Sequence, residues 1–138
     1  MTPAHRGSIA VLLLRLVTGV AFVFHGWGKI QNPMHWMDMA PAHPPGFVQA
    51  LAAVAEFGGG IGLLLGLLTP LCCAGIACTM AVAIYTHIGK GDPFISKGAG
   101  SYELALVFLS IAVAIALIGP GRYSVDQRLV GRRVPNDY

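Results

Sequence analysis

The chain has 138 residues, of which 55% are hydrophobic and only 11% charged, with a mean hydropathy of +0.67. Soluble domains carry about 25% charged residues, so this deficit excludes an ordinary soluble enzyme and implies one integral membrane domain over 1–138. The net charge of +3 does not argue for nucleic acid, because four of the nine basic residues (Arg122, Arg128, Arg132 and Arg133) crowd the C-terminal tail. There they read as a membrane-surface and topology signal.

The first predicted span covers about 8–30. It is apolar enough to cross a bilayer yet carries Arg15, His25 and Lys29. At helical spacing Arg15, Thr18, Phe22, His25 and Lys29 share one face. A charge at the centre of a hydrocarbon span costs about 2.5 kcal/mol or more, so this stripe has to face protein or water. His5 and Arg6 ahead of the apolar run imitate a signal peptide. The run is long, Arg15 interrupts it and no small-x-small site follows, so it is expected to be retained.

Pro41, Pro44 and Pro45 mark a loop before a second span at about 48–68. Gly58, Gly62 and Gly66 recur there at fourfold spacing, with Gly59 and Gly60 beside them, a pattern that lets helix backbones approach closely. Thr69-Pro70 makes a short turn into a third span at about 71–88, which holds Cys72, Cys73 and Cys78. These three form no CxxC pattern and read as small packing residues, with the Cys72-Cys73 pair a minor redox alternative. Gly89 to Pro93 opens a second polar loop, and the fourth span, about 101–118, stops at Gly119-Pro120-Gly121. Each length suits a hydrocarbon core of about 30 Å. Ser124 followed by Gln127 is a capping-box pattern that starts a short surface helix, with Leu129 and Val130 dipping inward. The fold expected is all-α: an antiparallel four-helix transmembrane bundle in the lipid bilayer, both termini cytoplasmic by the basic tail, with a short C-terminal surface helix.

Polar residues inside the spans then suggest chemistry. Glu56 lies in span two, His87 at the outer end of span three and Glu103 at the start of span four. With Arg15, His25 and Lys29 they form a column open to the outer face. As structural glue, Arg15 would pair with Glu56 and Lys29 with Glu103; as a pocket, the same groups would hold a small polar or quinone-like molecule. A haem or metal between His25 and His87 is disfavoured because His87 lies near the surface. The first loop holds Met34, His35, Met37, Met39 and His43, a set that would suit Cu(I). An interfacial segment anchored by Trp36, its methionines filling gaps, is the preferred reading.

The runs LLLRLVTGVAFVFHGWGK, AEFGGGIGLLLGLLTP, SYELAL and GPGRYSVD, in that order, resemble the DoxX family of small four-helix membrane proteins. The resemblance matches Arg15, His25, Lys29, Glu56 and Glu103 to the family's polar motifs, and Gly119, Gly121, Ser124 and Asp126 to its terminal signature. It implies a role in oxidative-stress or sulfur chemistry, since relatives are described as membrane subunits of thiosulfate:quinone oxidoreductase. The expectation is a quinone-linked redox protein of the bacterial inner membrane, acting as a membrane subunit of an oxidoreductase. The chain shows no flavin fingerprint or haem attachment motif, so electrons would come from substrate or from a soluble redox-enzyme partner. Two alternatives stand beside it. One is a non-catalytic scaffold that docks a redox enzyme. The other is a small-molecule or metal transporter, for which four spans are few unless the protein is a homodimer.

Overall fold

The computed structural model describes residues 2–40, 43–98 and 100–129, and the described residues are all-helical, without strands. Five helices follow in order: α1 (Pro3–Gln31), α2 (Gly46–Leu65), α3 (Thr69–Gly89), α4 (Glu103–Ile118) and α5 (Val125–Leu129). Arg132, Arg133 and Val130 lie outside the described residues. Three helices, α1 to α3, are long and apolar enough to cross a membrane. The fourth, α4, is apolar but has 16 residues, a rise of about 24 Å. The expected fourth span is therefore two residues shorter than its sequence window, because Ser101 and Tyr102 belong to the preceding loop.

Proline starts α1 and lies in the first turn of α3, where its missing N–H leaves no donor unsatisfied. α2 ends at Gly66, which takes the left-handed conformation (φ 65°). The Leu67 N–H then bonds to Gly62 O at 2.9 Å and the Gly66 N–H to Leu63 O at 3.2 Å, a Schellman closure that consumes two free carbonyls.

α1 packs on α2, α2 on α3 and α3 on α4, while α4 meets α1 only sparsely. The core is a narrow inner stripe: Phe22, Leu63, Cys73, Ile76, Ala112 and Ile115, with Leu14, Met80 and Phe108 around it. Outward-facing Leu13, Val17, Phe24, Val82, Tyr85 and Leu117 are exposed. Such an inverted distribution suits lipid as solvent rather than water.

Glycine packing differs from the fourfold register. Gly60 faces α1, where an added Cβ would lie 2.7 Å from Val23 N, and Gly26 answers it against the Phe57 backbone. Gly59 and Gly62 face α3, at Ile76 and Cys72. Gly58 is exposed and meets only its own Val54. α2 lies between two neighbours, so its small residues serve two directions about 100° or more apart, which a single fourfold row cannot do.

Candidate functional site

The α1 stripe faces the protein over most of its length: Arg15, Thr18 and Phe22 are fully buried. It emerges at the end of the molecule that carries the 32–45 and 90–102 loops, hereafter the loop end. The opposite end, with the α2–α3 turn, α5 and the start of α1, is the terminal end.

Arg15 does not meet Glu56. Its guanidinium is spent on main-chain carbonyls: Nε donates to Leu63 O at 3.0 Å, Nη1 to Pro120 O at 2.8 Å and Tyr123 O at 3.0 Å, and Nη2 to Leu64 O at 3.5 Å. Leu63 and Leu64 are in the last turn of α2, whose free carbonyls and dipole favour a cation. The Gly119–Asp126 signature is thus a cradle for Arg15. Within it Ser124 Oγ donates to Gly121 O at 2.7 Å and accepts the Gln127 N–H at 3.1 Å, the expected cap of α5. Leu129 is exposed.

Asp126 completes this end. α3 has no side-chain cap of its own; Asp126 supplies it from 57 residues away, accepting the Leu68 N–H at 2.7 Å and the Thr69 N–H at 2.8 Å. Its own N–H donates to Gly66 O at 2.8 Å. Leu68 has φ 50°, a left-handed leucine that costs about 1–2 kcal/mol and is held by this clamp. Burial opposes ionisation of Asp126, but hydrogen bonds at Thr69 and Leu68 and the Arg15 charge outweigh it and hold the carboxyl below its ordinary range.

At the loop end Lys29 finds Glu56: Nζ lies 2.7 Å from Oε1 and 2.6 Å from Oε2. Glu56 is 4% exposed, whereas the Lys29 side chain keeps 25% of its surface. This corrects both expected pairings, since α1 and α2 pack antiparallel with Arg15 level with Leu63, two turns from Glu56. The Trp36 ring caps the pair from outside, 4.5 Å from Lys29 Nζ, a cation–π distance.

The other residues of the expected column stay apart. His25, one turn below Lys29, is exposed and makes no hydrogen bond among the described residues; it rests against the rings of Phe22 and Phe108 at 5.7 and 6.1 Å. His87 Nδ1 pairs with Asp92 Oδ2 at 2.6 Å, closing the turn after α3. Glu103 is exposed in the first turn of α4, where a carboxylate suits the helix dipole. Cys72, Cys73 and Cys78 carry free thiols.

Sequence reading overlooked Gln49. It is 1% exposed and ties down the first loop: Oε1 accepts the Met37 N–H at 2.9 Å, while Nε2 donates to Asp38 Oδ1 and Pro44 O, both at 3.0 Å. The signal was available, since Gln49, Ala53, Glu56, Gly60 and Leu63 recur at steps of three and four and are all buried. The Trp36 indole N–H turns inward to Gln49 O at 3.0 Å. Met34 and Met39 are exposed instead of filling gaps. Both loop histidines approach one carboxylate: His35 Nδ1 lies 2.7 Å from Asp38 Oδ2 and His43 Nδ1 3.7 Å from Oδ1. Among the described residues no three His, Cys, Asp or Glu side chains are grouped to hold a metal.

Long apolar helices with an apolar exterior, and Arg15 and Glu56 turned to the interior, define a small helical membrane protein that spans the bilayer several times. The DoxX family model matches residues 10–89, and the chain belongs to that family. It is 30% identical over 126 residues to the inner membrane protein YqjF of Escherichia coli (strain K12), covering 88% of this chain and 93% of that relative. It is 31% identical over 107 residues to the Bacillus subtilis (strain 168) protein named "Putative oxidoreductase CatD", covering 77% of this chain and 79% of that protein. No solved structure matches. Family membership and the inner-membrane relative make the chain an integral protein of the inner membrane.

Proposed function

We propose that this DoxX protein has a quinone-linked redox role, with its ligand site at the loop end at Lys29 and Glu56 and extending to His25, one turn away on the same face of α1. The observation that carries the reading is the Lys29–Glu56 pair, which is buried on one side and open on the other. A buried ionisable pair in a membrane span is costly to desolvate, so its presence points to binding or transfer. The residues also fit the group: Phe22 and Phe108 give His25 aromatic walls, and the pair supplies one cation and one carboxylate. A bound quinone would supply the electron acceptor. His25 would hold a ligand oxygen by a hydrogen bond. Glu56 would exchange protons, and Lys29 would stabilise negative charge. The name of the B. subtilis relative points the same way.

In this reading α1 to α4 cross the inner membrane as an antiparallel four-helix bundle. Arg6, Arg122 and Arg128 at the terminal end favour cytoplasmic termini; the loop end then faces outward. Electrons come from substrate or from a soluble redox partner. Extraction of detergent-purified protein and mass spectrometry of its lipids test this. The expected result is a stoichiometric quinone that falls at least fivefold in His25→Ala and Glu56→Gln. Protein that carries no quinone but retains a soluble partner would overturn it in favour of a docking scaffold.

A further inference from the structure

Segment Asn32–Ala40 lies across the open side of the Lys29–Glu56 pair, and its attachment is concentrated on one buried side chain. Both polar atoms of the Gln49 amide are used on the loop, at Met37, Asp38 and Pro44, and its carbonyl takes the Trp36 indole. Gly46 lets the loop sit close on the start of α2: a Cβ there would lie 2.9 Å from Met34 O. The side chain this holds over Lys29 is Trp36. A glutamine in an apolar span is expensive unless every polar atom is satisfied; here Oε1 is satisfied by the seated loop, and Nε2 by Asp38 of the loop and by Pro44 O beside the start of α2.

We propose that Gln49 and Asp38 form a latch that holds Asn32–Ala40, and with it Trp36, across Lys29, and so governs entry to the Lys29–Glu56 site from the loop end. Gln49 and Asp38 are positioning residues: they act on the pair through the loop. The ionisable groups around the latch are His35 and His43 on Asp38, and Lys29 beneath Trp36. The latch rests on the proposed site at Lys29, but its test does not read redox chemistry, so either can fail alone.

The test is the rate at which a membrane-impermeant N-hydroxysuccinimide acetate modifies each lysine of the full-length protein in detergent, followed by peptide mass spectrometry. Lys90 and Lys97, exposed on the second loop, are internal references. In the wild type Lys29 should react about tenfold more slowly than either. Asp38→Ala, Gln49→Ala and Trp36→Ala should each raise the Lys29 rate severalfold, leaving Lys90 and Lys97 unchanged. If Gln49→Ala does not fold, Asp38→Ala carries the test, since Asp38 is exposed. A Lys29 rate unchanged in the folded latch variants, or one equal to Lys90 in the wild type, would overturn the latch.

Discussion

Two cations on one face of α1, four turns apart, have opposite fates. Arg15 is sealed at the terminal end and bonded to carbonyls from two distant segments. Lys29, at the loop end, holds a single carboxylate and keeps a quarter of its side-chain surface free. The difference follows from the side chains. A guanidinium has five donors in a fixed fork and joins several backbone carbonyls at once, whereas an ammonium is a mobile point charge that pairs and exchanges. Arg15 is therefore a fastener, and Lys29 is the cation that the proposed function assigns to a ligand.

Substitution of Arg15 should have the largest effect. Arg15→Leu leaves the carbonyls of Pro120 and Tyr123 without their donor and takes one of two donors from Leu63 O; at about 1–3 kcal/mol per orphaned group, the loss should be about 4 kcal/mol. Arg15→Lys should recover little of it, because one ammonium cannot span both segments. Thermal unfolding in detergent measures both.

Single substitutions at the loop end rank next. Lys29→Met leaves Glu56 buried and unpaired, at about 3 kcal/mol or more; Glu56→Gln, which keeps a hydrogen-bonding partner, should cost less. Replacing both residues by methionine should restore stability to within about 1 kcal/mol of the wild type. Arg15 has no such rescue, since its partners are main-chain atoms. A double-mutant cycle reads this contrast directly.

Asp126→Ala removes the cap of α3 and should cost about 1–2 kcal/mol. Its folded pKa is depressed, so its contribution is full above the unfolded value near about 3.9 and is lost as the pH falls through the lower folded value. Melting temperature should therefore drop on acidification below about pH 4, and less steeply in Asp126→Asn. Thr18→Val should have the smallest effect. The Thr18 hydroxyl is buried without a partner among the described residues, whereas Ser8, Thr86 and Ser110 bond back to carbonyls four residues earlier. Its removal should be neutral or stabilise by up to about 1 kcal/mol.

The helices and the polar stripe were legible in the sequence because hydropathy and helical spacing are local properties. Partners were not. Sequence places Arg15, Lys29 and Glu56 at rough depths, but the offset between α1 and α2 is set by Gly26 against Phe57 and Gly60 against Val23, and that offset gives Glu56 to Lys29 and leaves Arg15 to main-chain carbonyls. The terminal signature was visible as GPGRYSVD, yet its purpose was not, since Arg15 lies 105 residues from Pro120 and Asp126 caps a helix 57 residues earlier. Gln49 passed unnoticed because an uncharged amide in an apolar helix gives a weak signal until the loop it holds is seen.

The division of labour along α1 is tested most directly in the Lys29→Met/Glu56→Met double variant, by measuring bound quinone and melting temperature on the same preparation. The expected result is a melting temperature within a few degrees of the wild type and a quinone content reduced at least fivefold. A double variant that unfolds, or one that folds and carries quinone at the wild-type level, would contradict it.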